Sequence, residues 1–148
     1  LQDWLNEGRL YKHDTSPEEI ENLLAVFKRD IADSRIESMS ADRRFATAYN
    51  AALMMARAAL AASGYRVSGE GAHYLTIQSL AFTMDINAKT IMKFNSFRKK
   101  RNISDYEMAG MVPYQEVNEA IELAQQLRDA VLQWLQKHHP DLIKRRSS

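Results

Sequence analysis

Apolar residues recur at intervals of three and four through most of this chain, and hardly anywhere at intervals of two. Ile20, Leu23, Leu24, Phe27 and Ile31 form one such stripe, which predicts an amphipathic helix. Its start is marked by Ser16-Pro17-Glu18-Glu19, with a hydroxyl at the N-cap, proline in the first helical position and a carboxylate at the third, the pattern of a capping box. That helix is expected to end near Ser38. Ser40-Ala41-Asp42 can cap the next one, whose buried face is read as Phe45, Ala48, Tyr49, Ala52, Leu53, Ala56, Ala59 and Leu60, with Gly64 just past its end. Its alanines would let neighbouring helices approach closely. A further helix is expected over Ala72 to Met84 using Ile77, Leu80 and Ala81. Another should start near Asn87, carry Ile91, Phe94 and Phe97 and reach about Met108. Gly110 and Pro113 break the chain there. The last helix, Pro113 to His138, presents Val117, Ala120, Ile121, Ala124, Leu127, Val131, Trp134 and Leu135, and Pro140 stops it. A short helix over Gln2 to Leu10 completes the set. No segment is read as a strand, and Gly64 to His73 is read as the one loop rich in turn residues. The fold expected is an all-α bundle of about four long helices plus short ones.

Length and composition narrow the setting. At 148 residues and 45% hydrophobic, the chain suits a single domain, with residues 1–15 as an N-terminal extension and 139–148 as a flexible basic tail. The absence of cysteine removes disulfides, thiolate catalysis and cysteine-based metal sites, and is compatible with the reducing cytoplasm expected here. The longest apolar candidate for a membrane span, Ala46 to Ala62, is interrupted by Asn50 and Arg57, so no membrane partner is expected. The first residues, with Asp3 and Glu7, lack the basic and apolar pattern of a secretion signal. A net charge of +1 means that any nucleic-acid partner must be recognised by local clustering rather than by the whole surface.

Several kinds of chemistry have little to stand on. Glu70-Gly71-Ala72-His73 matches the Glu-x-x-His spacing of di-iron bundles once, without a second copy, and His138 and His139 point about 100° apart on a helix. No metal and no cofactor is therefore expected. Gly69-x-Gly71 before a helix could offer backbone N–H groups to an anion, but no Gly-Lys-Ser/Thr follows, and a connector is the simpler reading. Nothing marks a strained serine nucleophile. One segment does carry chemistry: Lys93 to Tyr106, with the run Arg98-Lys99-Lys100-Arg101 followed by Asn102. On a helix Arg98, Arg101, Asn102 and Asp105 share a face, and Tyr106 lies one turn after Asn102. Clustered cations beside an amide and an aromatic ring suit phosphate and base contacts in RNA. The plain alternative is a solvated basic patch holding an Arg101–Asp105 ion pair.

At this segment the chain resembles the HEPN superfamily, helical bundles of prokaryotic toxin–antitoxin and defence systems and of some larger ribonucleases. Catalytic members carry an arginine and a polar residue, then a histidine four to six positions after the arginine, ahead of the final helix. Arg101-Asn102 matches the start of that motif, and Asp105-Tyr106 is similar to a branch ending in Asp-Tyr. The order of supporting pieces agrees: the helix with Tyr49-Asn50-Ala51-Ala52, the helix begun at His73, and the Glu119-to-Leu127 stretch. The likeness spans roughly Glu19 to Leu135. It implies a metal-independent ribonuclease site in which Arg101 holds the scissile phosphate, Asn102 and Tyr106 position it, and Arg98, Lys99 and Lys100 steer the backbone. It also implies a homodimer, and a nucleotidyltransferase partner able to adenylylate Tyr106. The chain departs from the pattern in one place, since no histidine lies four to six residues after Arg101. Asp105, held charged by nearby arginines, is a poor base. Either His73 is brought in from a neighbouring helix, or cleavage is weak, or the chain is a non-catalytic partner that binds an RNA or a nucleotidyltransferase.

Overall fold

The structure, a computed structural model, describes residues 1–67, 69, 71–106, 109–110 and 112–143, the side chains of 104–106 excepted. Among them are six α-helices and one small sheet: α1 (Gln2–Asn6), β1 (Leu10–Lys12), α2 (Pro17–Ser34), α3 (Ala41–Ala62), β2 (Tyr65–Val67), α4 (Ala72–Thr83), α5 (Ala88–Tyr106) and α6 (Tyr114–His138), followed by a 3₁₀ turn at Pro140–Leu142. The expected all-α bundle is what forms. No helix among the described residues is long and apolar enough to cross a membrane.

The helix starts follow from the residues that satisfy their first N–H groups. Ser16 Oγ accepts from the Glu19 amide at 3.2 Å, Ser40 Oγ from the Arg43 amide at 3.2 Å, and Asn87 Oδ1 from the Thr90 amide at 2.9 Å. Only half of the expected capping box forms at α2. The Glu19 carboxylate turns outward to His13 Nε2, at 2.8 and 3.0 Å, and to the Thr15 hydroxyl at 2.5 Å. Gly64, at φ 96°, takes the left-handed position just past α3, where a side chain would be strained.

Most helix ends fall within a few residues of expectation, but three readings need correction. Helix α2 stops at Ser34 rather than near Ser38, because Arg44 Nε reaches back to the Ser34 carbonyl at 2.8 Å and closes that end. Ala81 is exposed, and Leu75 takes its place in the core of α4. The third concerns the sheet. Leu10–Lys12 is a strand, not the end of the first helix, and it pairs antiparallel with Tyr65–Val67 inside the segment read as a loop, in the register Leu10↔Val67, Tyr11↔Arg66 and Lys12↔Tyr65. Three residues are too short to display an alternating pattern, so only the pairing reveals them. The ribbon, with the His13 amide donating to the Gly64 carbonyl at 2.9 Å, lays the N-terminal residues over the end of α3.

Helix α3 is the axis. It packs against α2, α6, α4 and α5, and it is buried on almost every side, from Phe45 to Ala62. Ala48, Ala51, Ala52, Ala56, Ala58 and Ala59 are fully enclosed. Phe45 meets Phe97 of α5 edge-on at 5.4 Å. Asp42 at its start accepts from the amides of Gly110 and Val112, at 2.6 and 3.3 Å, and so ties the chain between α5 and α6 to the same axis. Lys100 Nζ lies 2.6 Å from Glu116 Oε1 and joins α5 to α6.

Because these alanines set how near the neighbours come, enlarging one should be costly. Ala56→Leu is expected to destabilise the fold by about 1–3 kcal/mol. A urea titration followed by circular dichroism would show the midpoint lowered, whereas Ala81→Leu on the exposed side of α4 should leave it within about 0.5 kcal/mol of the parent.

Candidate functional site

The centre of the site is a tyrosine in the core. Tyr49 is only 2% exposed, with Phe94 of α5 edge-on to its ring at 5.7 Å. Two groups close on it from different helices. The guanidinium of Arg101 on α5 sits over the Tyr49 ring at 5.9 Å, and the Tyr49 hydroxyl is 3.4 Å from Nδ1 of His73 on α4. Burial pushes the Tyr49 phenol up to about 12, with Arg101 and Arg98 pulling the other way, so it stays a neutral hydroxyl at any physiological pH.

His73 stands at the second position of α4, which begins after Gly71 in a left-handed turn at φ 75°. Its imidazole is held below the ordinary 6.5, first by partial burial and then by the positive charges of Arg101, Arg57 and Arg98. The positive N-terminal end of α4 acts in the same direction. His73 is therefore a neutral imidazole among cations at pH 7, able to take up a proton.

Arg98, one turn before Arg101, lies over the exposed Tyr74 ring at 5.5 Å, and its Nε donates to Asn95 Oδ1 at 2.8 Å. Of the residues singled out in the sequence, His73, Arg98 and Arg101 thus come together. Asn102 follows on α5, half-buried, and Lys99 faces solvent. Lys100 is engaged with Glu116 across the α5–α6 seam and does not join the group around His73. The backbone of Asp105 and Tyr106 is helical, while their side chains, and with them the expected Arg101–Asp105 pair, lie outside the described residues, as does Glu70.

Three side chains that sequence reasoning passed over complete the surroundings. Arg57 of α3, exposed in an otherwise buried stretch, also acts on His73. Asn50 donates from Nδ2 to Asp30 Oδ2 of α2 at 2.6 Å. Asp30 is only 5% exposed, a charged group in the core held by Asn50 and by Arg29 at 3.1 Å. Beside His73 opens a cleft of about 310 Å³, lined by Asn50, Arg57, Glu19 and Arg66 over a floor of Leu53 and Leu60. Arg57 was visible only as an interruption of an apolar run, and Asn50 as that and as part of the Tyr49-Asn50-Ala51-Ala52 helix. Their spacing of seven residues, two turns of helix, is the signal that they share a face.

Compared with known protein families, with curated proteins and with solved structures, the chain matches none.

A proton titration tests the electrostatics directly. The His73 ring signal in an NMR titration should turn over below pH 6.5, and Arg101→Ala should move it upward. Because the folded value lies below the unfolded one, the stability linked to this group is fully present above pH 6.5 and is lost as pH falls through the folded value.

Proposed function

We propose that this chain is a HEPN-like, RNA-directed protein of a toxin–antitoxin or defence system, acting as a metal-independent endoribonuclease. The observation that carries the reading is the approach of His73 and Arg101 about the Tyr49 ring, at 3.4 Å to the hydroxyl and 5.9 Å to the ring centre. The resemblance requires an arginine and a histidine at one phosphate, and the chain lacks the histidine that should follow Arg101. A histidine from α4 fills that role from across the helix pair.

The chemistry follows from the groups available. With Nδ1–H donating to the Tyr49 oxygen, Nε2 of His73 carries the free lone pair and accepts the proton of an RNA 2′-hydroxyl. The 2′-oxygen attacks phosphorus, and the extra negative charge of the phosphorane is balanced by Arg101 and Arg98. The bond from phosphorus to the 5′-oxygen breaks, that oxygen takes a proton from water, and the imidazolium returns its own to solvent. The products are a 2′,3′-cyclic phosphate and a 5′-hydroxyl. Tyr49 holds the orientation of the imidazole in that tautomer, and Lys99 with Arg98 attracts the backbone. A homodimer, as the resemblance implies, would set two such sites side by side.

A second reading is favoured by one feature, the Asp105 that stands where a catalytic member carries its motif histidine. In that reading the bundle binds RNA or a nucleotidyltransferase without cutting.

Incubation with single-stranded RNA separates the two. Cleavage should persist in a chelator, leave cyclic phosphate ends, and fall at least 100-fold in both His73→Ala and Arg101→Ala. Binding that weakens steeply with salt and with Arg98→Ala plus Lys99→Ala, but without any cleavage, would establish the non-catalytic reading. Light scattering should give about twice 17.0 kDa.

A further inference from the structure

The cleft beside His73 has a direction built into it. Its inner end, between α3 and α4, carries Arg57 and His73 and lies next to Arg101 and Arg98. Its outer end, by the β1–β2 ribbon, carries Glu19, whose charge is countered by Arg66 and held by His13 and Thr15. The floor between them is apolar, with Leu53 and Leu60 each 2% exposed. One wall is Asn50. The bond at 2.6 Å to the buried Asp30 uses one of the two Asn50 N–H groups and leaves the carbonyl oxygen and the second N–H for a ligand. The lining thus combines the cations Arg57 and Arg66, the acceptors Glu19 and Asn50, and apolar side chains. At about 310 Å³ the space is at the small end of ligand pockets, which run from about 300 to 1,000 Å³ and suits a single nucleoside rather than a longer segment.

We propose that this cleft is a nucleotide subsite that takes the ribonucleotide on the 5′ side of the phosphate held by Arg101, with its base on the Leu53–Leu60 floor and read by Asn50. The assignment rests on the ribonuclease reading in one respect, the choice of side. A 2′-hydroxyl that gives its proton to His73 belongs to the nucleotide preceding the scissile phosphate, and His73 forms the mouth of this cleft. Arg57 assists at the phosphate from the α3 side. The sugar hydroxyls and a base amino group supply the donors that Glu19 and the Asn50 oxygen need. Adenine presents an amino group to such an acceptor. Uracil is the smaller ring and covers less of the cleft wall.

The test uses the full chain with 3′-AMP, 3′-UMP and inorganic phosphate, by calorimetry and by amide shifts of α3 and α4. We expect 3′-AMP to bind at least ten-fold tighter than phosphate and several-fold tighter than 3′-UMP. Arg57→Ala, at an exposed position, should weaken 3′-AMP about five- to ten-fold, and Ala72→Leu, which fills the cleft from the first turn of α4, should weaken it more than ten-fold. Circular dichroism confirms that each variant is folded. Equal affinity for phosphate and 3′-AMP would reduce the cleft to an anion site and overturn the proposal, as would both variants binding 3′-AMP within two-fold of the parent. Equal affinity for 3′-UMP would overturn the seating of the base in the cleft. The ribonuclease reading fails separately: if RNA is never cut while 3′-AMP binds and the cleft variants lose it, the nucleotide site stands and the catalysis does not. If RNA is cut with Arg101 dependence while cleft variants leave both KM and 3′-AMP affinity unchanged, the reverse holds.

Discussion

Everything in this molecule depends on one helix being thin. A helix that must be touched by four others cannot carry large side chains all round, because the neighbours would be held too far apart to touch one another. In α3 that requirement is met by alanine at position after position, with Phe45, Tyr49, Leu53 and Met55 as the few large groups that fill the gaps between neighbours. Close packing on this axis lets a residue of α4 and a residue of α5 meet over one tyrosine of α3. The site is thus a by-product of the core: Tyr49 fills it with its ring and offers a hydroxyl at its edge.

The same arrangement imposes an electrostatic condition. Arg57, Arg98 and Arg101 all act on His73 and disfavour its charged form. Cations gathered at one place give a positive local field even in a chain whose net charge is only +1, and the proposed phosphate contact relies on that field. The acidic side chains nearby have other occupations. Asp30 is buried under Asn50, Glu19 is held by Thr15 and His13, and Glu116 is paired with Lys100.

The helices were legible because their signals are local. Ser16-Pro17, Ser40, Asn87 and Pro113 mark starts, and stripes such as Ile20-Leu23-Phe27 or Val117-Ala120-Ala124 repeat often enough to fix a period. The ribbon was not, since Leu10–Lys12 finds its partner more than fifty residues away and each strand has only three residues. The site was half legible. Arg98 and Arg101 stand out as a run of charge, and His73 was one of two answers to a missing histidine. Tyr49 and Asn50 were read as parts of a helix, because a buried tyrosine in an apolar stripe carries no sign of what will close over it. Arg57 was read as a flaw in an apolar run, when its place two turns from Asn50 put both on the cleft.

The burial of Asp30 ties these strands together. An ionised carboxylate in a core costs several kcal/mol unless its acceptors are filled, and replacing it by leucine would make a simpler α2. Its bonds to Asn50 and Arg29 remove most of that cost, yet they do nothing for packing that an apolar pair would not do as well. What the pair does achieve is orientation. An asparagine free on a helix can present either its nitrogen or its oxygen, and a surface that reads a base needs only one of them. Holding one N–H of the amide fixes the orientation of Asn50, which lines the cleft beside His73. The buried charge is therefore better explained by the face it gives to the cleft than by the stability it gives to the bundle.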